Sequence, residues 1–148
     1  MKIVTTNKKA KYEYFLLDKF EAGIVLLGTE IKSVRANKVN IVDSYGRIKD
    51  EEIFLVNMHI SKYDHGNLFN HDETRSRKLL LNKKEIKKII KKVSQEGLTL
   101  VPTKVYLERG LCKVELALAK GKKNYDKRQS LKEKDSLRRA EMALKERY

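Results

Sequence analysis

The sequence predicts a mainly β fold of the α+β class, a small barrel with two to three helices and a basic C-terminal tail. Three observations carry this expectation. Six or so short runs alternate apolar with polar residues, as strands half-buried against a core do. Two segments between them change to a helical period. The last thirty residues, Ala119 to Tyr148, hold eleven Lys or Arg against five Asp or Glu, and they carry too little apolar surface to fold alone. The expected division is a body over 1–119 and a tail over 120–148.

In chain order, Thr5 to Lys11 reads as an exposed basic start, followed by a strand over Tyr12–Leu17 and another over Ala22–Leu27. At Gly28-Thr29-Glu30 the period changes, predicting a helix of about two turns with Thr29 as its cap and the Glu30 carboxylate in its first turn. Asn37 ends that helix, because Asn tolerates the left-handed backbone. Val39–Lys49 and Ile53–Ile60 read as a hairpin joined at Asp50-Glu51-Glu52, and Ser61–Asp72 as a long loop whose length points to function. A helix over Lys83–Gln95 follows from Ile86, Ile89, Ile90 and Val93 at i, i+3, i+4 and i+7, with Asn82 and Glu85 as a capping box and Gly97 closing it. Leu98–Leu107 and Leu111–Ala119 form a second hairpin in which Pro102 marks an edge position or a bulge. This count of strands and helices fits a barrel of the oligonucleotide-binding-fold type. In the tail, Leu137, Ala140 and Leu144 share one narrow helical stripe, so the segment is disordered or frays in water and becomes helical on a partner.

A formal charge of +14 and a pI near 9.8 call for a polyanionic partner. The single cysteine, Cys112, excludes an internal disulfide and any multi-cysteine zinc site. Neither a signal peptide nor a membrane span is expected, which points to a cytoplasmic protein. His59, His65 and His71 recur at six-residue intervals beside Asp64, Asp72 and Glu73, but the loop around them specifies no ligand geometry. Neither a nucleotide-binding glycine motif nor a nucleophile with its base is recognisable, so no metal or cofactor is expected and catalysis is the weaker reading. Basic residues recur instead beside aromatic ones: Asn7 to Lys9, Lys32 and Arg35, Arg75 to Lys78, and Lys120 to Lys123 with Tyr125 as a stacking candidate. Glu30 within this set either caps its helix, accepts from a base edge, or holds a cation in position.

At these residues the sequence resembles the small protein B family, the SsrA-binding proteins that partner bacterial transfer-messenger RNA. The resemblance rests on Asn7-Lys8-Lys9-Ala10, Glu21-Ala22-Gly23-Ile24-Val25-Leu26 with Gly28-Thr29-Glu30-Ile31-Lys32-Ser33, Asp43-Ser44-Tyr45, Asn70-His71-Asp72, Thr74 to Leu81, Gly97 to Pro102, and Ala119 to Lys123 running on to Asp126-Lys127-Arg128. Asn37 stands where many relatives have Gly, and Tyr125 where many have His. The resemblance implies an oligonucleotide-binding-fold barrel that clasps the tRNA-like domain of the RNA, and a monomeric adaptor rather than an enzyme. It also implies a tail that enters the vacant messenger channel of a stalled ribosome near the decoding centre, with elongation factor Tu delivering the charged RNA for trans-translation. Carried over by position, Asn7, Lys8, Lys9, Glu30, Lys32, Arg35, Arg75, Arg77 and Lys78 are the RNA-contact candidates. Lys120, Lys122, Lys123, Tyr125, Asp126, Lys127 and Arg128 form the ribosome-facing set. The alternative is a general single-stranded nucleic-acid-binding barrel.

Overall fold

A computed structural model describes residues 1–63 and 70–122. Nine strands and three helices lie among them. The N-terminal segment differs from expectation: Lys2–Thr6 is strand β1, and Lys8–Glu13 is a short helix, α1, rather than an exposed start. β1 pairs antiparallel with a distant strand, Lys2 opposite Leu107, while Val4 packs against the core. Asn7 then caps α1, accepting from the Ala10 N–H at 3.2 Å.

The two strands expected over 12–27 are one, β2 (Tyr14–Ile24), bent but not broken by an irregularity in register between Leu16 and Lys19. Helix α2 (Gly28–Arg35) starts after Leu27, so Thr29 is not its cap. The Glu30 carboxylate instead accepts from the Leu27 N–H at 2.8 Å. Past α2 Asn37 takes φ 61, the left-handed conformation expected of it.

Between 39 and 60 the expected pair of long strands is cut twice. β3 (Val39–Asn40) and β4 (Tyr45–Lys49) are separated by a turn that buries Ile41, and β5 (Glu52–Val56) and β6 (His59–Ile60) by Asn57 at φ 60. The β4–β5 turn is Asp50-Glu51 alone, both at positive φ, because Lys49 already pairs with Glu52. β7 (Arg77–Leu80) leads to α3 (Lys83–Glu96), where Asn82 accepts from the Glu85 N–H at 2.9 Å and Gly97 takes φ 65, as its capping pattern predicts. β8 (Thr99–Glu108) and β9 (Leu111–Gly121) close the chain, with the register shifting between Pro102 and Lys104, so Pro102 marks a bulge. β9 runs two residues beyond Ala119, where the body was expected to end.

Seven strands form one sheet in the order β1-β8-β4-β5-β7-β2-β9. β8 also pairs with β9, so the sheet returns to a strand it has already used. The apolar core lies within, built from inward rows such as Ile53 and Leu55 of β5, Leu79 of β7, and Val114, Leu116 and Leu118 of β9, and α3 contributes Ile89. Each such side chain adds roughly 1.5–3 kcal/mol by leaving water. A smaller cluster of Ala10, Val101 and Ala119 seats α1 on the outer side of β8 and β9. Cys112 is buried in the main core, which pushes its thiol up to about 12 and leaves it a packing residue.

Candidate nucleic-acid interface

The site is organised by a carboxylate with no access to solvent. Glu30 is 0% exposed and faces Arg77, also 0% exposed. An unpaired charge in that position would cost several kcal/mol, so its partners determine the local structure. Arg75 donates to Glu30 through Nη2 at 2.6 Å and Nε at 3.1 Å, and Arg77 donates through Nε. Arg77 spends its remaining donors on main-chain carbonyls, at 2.6 Å to Met58, 3.1 Å to Glu73 and 3.4 Å to Asp72. One guanidinium thereby ties α2 to both ends of the segment between β6 and β7. Asn70 closes that segment further, donating to the Tyr63 carbonyl at 2.8 Å and accepting from the Tyr63 N–H at 3.2 Å.

Burial pushes the Glu30 carboxyl up, but hydrogen bonds from Arg75, the Leu27 N–H and Arg77 outweigh it and hold the group below its ordinary value of 4.5. A carboxyl lowered by folding contributes its full stability above that ordinary value and loses it as pH falls through the lower folded one. Acid titration followed by circular dichroism should therefore show an acid limb below about pH 4.5 that flattens in Glu30→Gln. Equal limbs in the two proteins would show that this carboxyl does not drive acid unfolding.

The three cationic residues before Leu79 thus have different fates. Arg75 stays partly open, its side chain 28% exposed, and donates to the Val25 carbonyl at 3.3 Å. Lys78 points out and pairs with Glu52 at 3.2 Å. Arg77 faces inward, because strand alternation places it on the same side as Leu79. Glu30, Arg77 and Asn7 are buried, so this surface does not offer their side chains directly as the contacts expected of Arg77 and Asn7, while Glu30 follows two of its expected readings by capping α2 and holding a cation in position. Asn7, 4% exposed, donates to the Pro102 carbonyl at 3.0 Å.

Lys8 and Arg35 are exposed as expected, and Lys9 lies between Glu13 at 3.6 Å and Asp43 at 3.7 Å. Lys32 places its ammonium 5.2 Å from the centre of the Tyr63 ring, an aromatic neighbour that sequence reasoning missed. Lys120 is exposed on β9, and Lys122 sits 5.0 Å from the Phe15 ring while donating to the Lys11 carbonyl. Lys123, Tyr125, Asp126, Lys127 and Arg128 lie outside the described residues, as does His65.

The other histidines are held by neighbouring polar groups. His71 Nε2 donates to the Ile60 carbonyl at 2.8 Å, which leaves Nδ1 to accept from the Thr29 hydroxyl at 2.9 Å. His59 is 3.0 Å from Glu73. Among the described residues no group of three His, Cys, Asp or Glu is placed to hold a metal. No helix among them is long and apolar enough to cross a membrane.

A braced Arg75, outward lysines and neighbouring aromatic rings sit together on the mainly β scaffold of a small α+β protein. A family profile described as "SmpB protein" matches residues 4–146. The SsrA-binding protein of Shouchella clausii (strain KSM-K16) is 57% identical over 146 residues, covering 99% of this chain and 94% of that protein. The SsrA-binding protein of Desulfitobacterium hafniense (strain DSM 10664 / DCB-2) is 55% identical over 141 residues, 95% of this chain and 90% of the other. A solved chain described as "tmRNA-SmpB: a journey to the center of the bacterial ribosome" superposes with a TM-score of 0.69 at 45% identity, covering 86% of this chain and 94% of its own. The chain belongs to the SmpB protein family.

Proposed function

We propose that the protein is an RNA-binding adaptor that holds the tRNA-like domain of transfer-messenger RNA and brings it to stalled ribosomes for trans-translation. The observation that carries this reading is the match to SsrA-binding proteins along nearly the whole chain, including the segments that build the Glu30–Arg75–Arg77 cluster. The closed order of strands is read as an oligonucleotide-binding-fold barrel, a preformed RNA-shaped surface. Arg75, Lys32, Arg35 and Lys78 supply phosphate and base-stacking contacts, and Glu30 and Arg77 position Arg75 from behind. The residues from 123 onward, with Lys120 and Lys122, form the arm that occupies the empty messenger channel. Delivery with elongation factor Tu, a cytoplasmic location, a monomeric state and the lack of an enzymatic step belong to the same reading.

Affinity for the tRNA-like RNA should fall at least roughly ten-fold between about 50 and about 200 mM salt as phosphate contacts are lost. It should exceed the affinity for poly(U) at every salt concentration. Equal affinity would favour a general single-strand-binding protein. A chain ending at Lys122 keeps β9 whole, which a stop after Ala119 would not. It should bind the RNA as the full chain does and fail to support peptide tagging in a reconstituted translation system. Loss of RNA binding on that truncation would overturn the division of labour.

A further inference from the structure

A cleft of about 270 Å³ opens between α1, the start of β4 and the turn that carries Asp43. Tyr14, Tyr45 and the carboxylate residues Glu13 and Asp43 are among its lining. Clefts for drug-sized ligands run from roughly 300 to 1,000 Å³, so this one fits a single planar ring system and not a whole nucleotide. Its walls are preset by main-chain bonds. The Asn7 N–H donates to the Thr103 carbonyl at 2.8 Å, while its side-chain amide reaches the Pro102 and Ile41 carbonyls. The turn opposite is fixed by the Ser44 N–H on the Ile41 carbonyl at 3.1 Å and the Ser44 hydroxyl on the Asn57 carbonyl at 3.2 Å. Little ordering cost is left for a ligand to meet.

We propose that this cleft takes one unpaired base of the bound RNA and prefers guanine to uracil; the inference rests on the RNA-binding reading given above. Tyrosine rings suit the face of a base, and Tyr45 is 40% exposed. The two carboxylates suit only an edge that donates. Guanine presents N1–H and the N2 amino group side by side, a match for one carboxylate. Uracil presents a single N–H between two carbonyl oxygens, which the carboxylates repel. Adenine and cytosine, with one amino group each, fall between. Lys9, at 3.6 Å from Glu13 and 3.7 Å from Asp43, neutralises the pair in the free protein. When the base N–H groups take its place, its ammonium turns to the phosphate of the same nucleotide, beside the exposed Lys8 and Lys11 of the same helix. A phosphate is kept out of the cleft by the carboxylates and held at its mouth by the lysines.

The test uses the full chain and three labelled hexamers, UUUGUU, UUUAUU and UUUUUU, followed by fluorescence anisotropy at one salt concentration. The guanine hexamer should bind about ten-fold tighter than the all-uridine one, as a good paired carboxylate contact would give. Asp43→Asn together with Glu13→Gln should shrink that ratio to about two-fold, and Tyr45→Leu should weaken the guanine hexamer most. Asp43 is a surface side chain, 81% exposed, so Asp43→Asn alone serves as the variant that keeps the fold, checked by its melting curve. A wild-type protein without base preference, or a preference unchanged in the carboxylate variants, would overturn the proposal. Binding of the tRNA-like RNA by the wild type is measured alongside: its absence would sink the adaptor reading, while the hexamer ratios judge the cleft alone.

Discussion

Arg77→Met should lower the unfolding free energy by about 3–5 kcal/mol, read from urea denaturation midpoints at neutral pH. The loss has two parts. Glu30 keeps only Arg75 as its ionic partner in a place without solvent, and the carbonyls of Met58, Asp72 and Glu73 lose their shared donor. Arg75→Ala takes two hydrogen bonds from the buried Glu30 carboxylate but removes a side chain that is itself partly in water, so it should cost about 1–3 kcal/mol, less than Arg77→Met, while weakening RNA binding more. The contrast between the neighbours is the informative quantity. If Arg77→Met lost less than about 1 kcal/mol, the guanidinium would not be what holds this end of the fold together. Replacing both Glu30 and Arg77 with apolar residues should recover much of the loss, since buried pairs often do little better than a hydrophobic pair of similar volume.

Gly46→Ala should cost about 1–3 kcal/mol through overpacking. A Cβ at this position would lie 2.5 Å from Leu100 Cδ2, 2.9 Å from its Cγ and 3.0 Å from its Cβ. A new rotamer can move Cγ and the methyls but not Leu100 Cβ, and Leu100 has little room to turn within the core, so the two strands must give way. Gly46 with Leu100 is the one residue pair registered between β4 and β8, so the displacement falls on their point of pairing. Leu100 is 2% exposed, so Leu100→Ala alone should cost about 2–5 kcal/mol by leaving a cavity. The double variant should be less destabilised than the sum of the two, since each change relieves the defect of the other. Strict additivity in thermal or urea unfolding would mean that the close approach carries no energetic weight.

Much of this was legible from residue order. Helix α3 announces itself through its isoleucine spacing, Asn82 with Glu85, and Gly97, all local signals that point the same way. The bulge at Pro102 and the turns near Asp50 and Gly110 could also be read locally. β1 could not, because its pairing partner Leu107 lies about a hundred residues on and its own alternation is weak. The orientation of Arg77 was available but overlooked. Arg75, Ser76, Arg77, Lys78 reads as a cationic run, yet Arg77 and Leu79 are two apart in a strand and share a face. Once that face is the core, a buried carboxylate is required, and Glu30, one turn into an otherwise basic helix, is the residue that supplies it. Glu13 and Asp43, by contrast, come together only through the packing of α1 beside a distant turn, which no local pattern encodes.

The paired bonds between Tyr63 and Asn70, with Arg77 gripping the carbonyls of Met58 and Glu73, bring two stretches of chain side by side at one guanidinium. Because both stretches depend on that one side chain, Arg77→Met should loosen them together, read as faster amide exchange at Tyr63 and His71 alike.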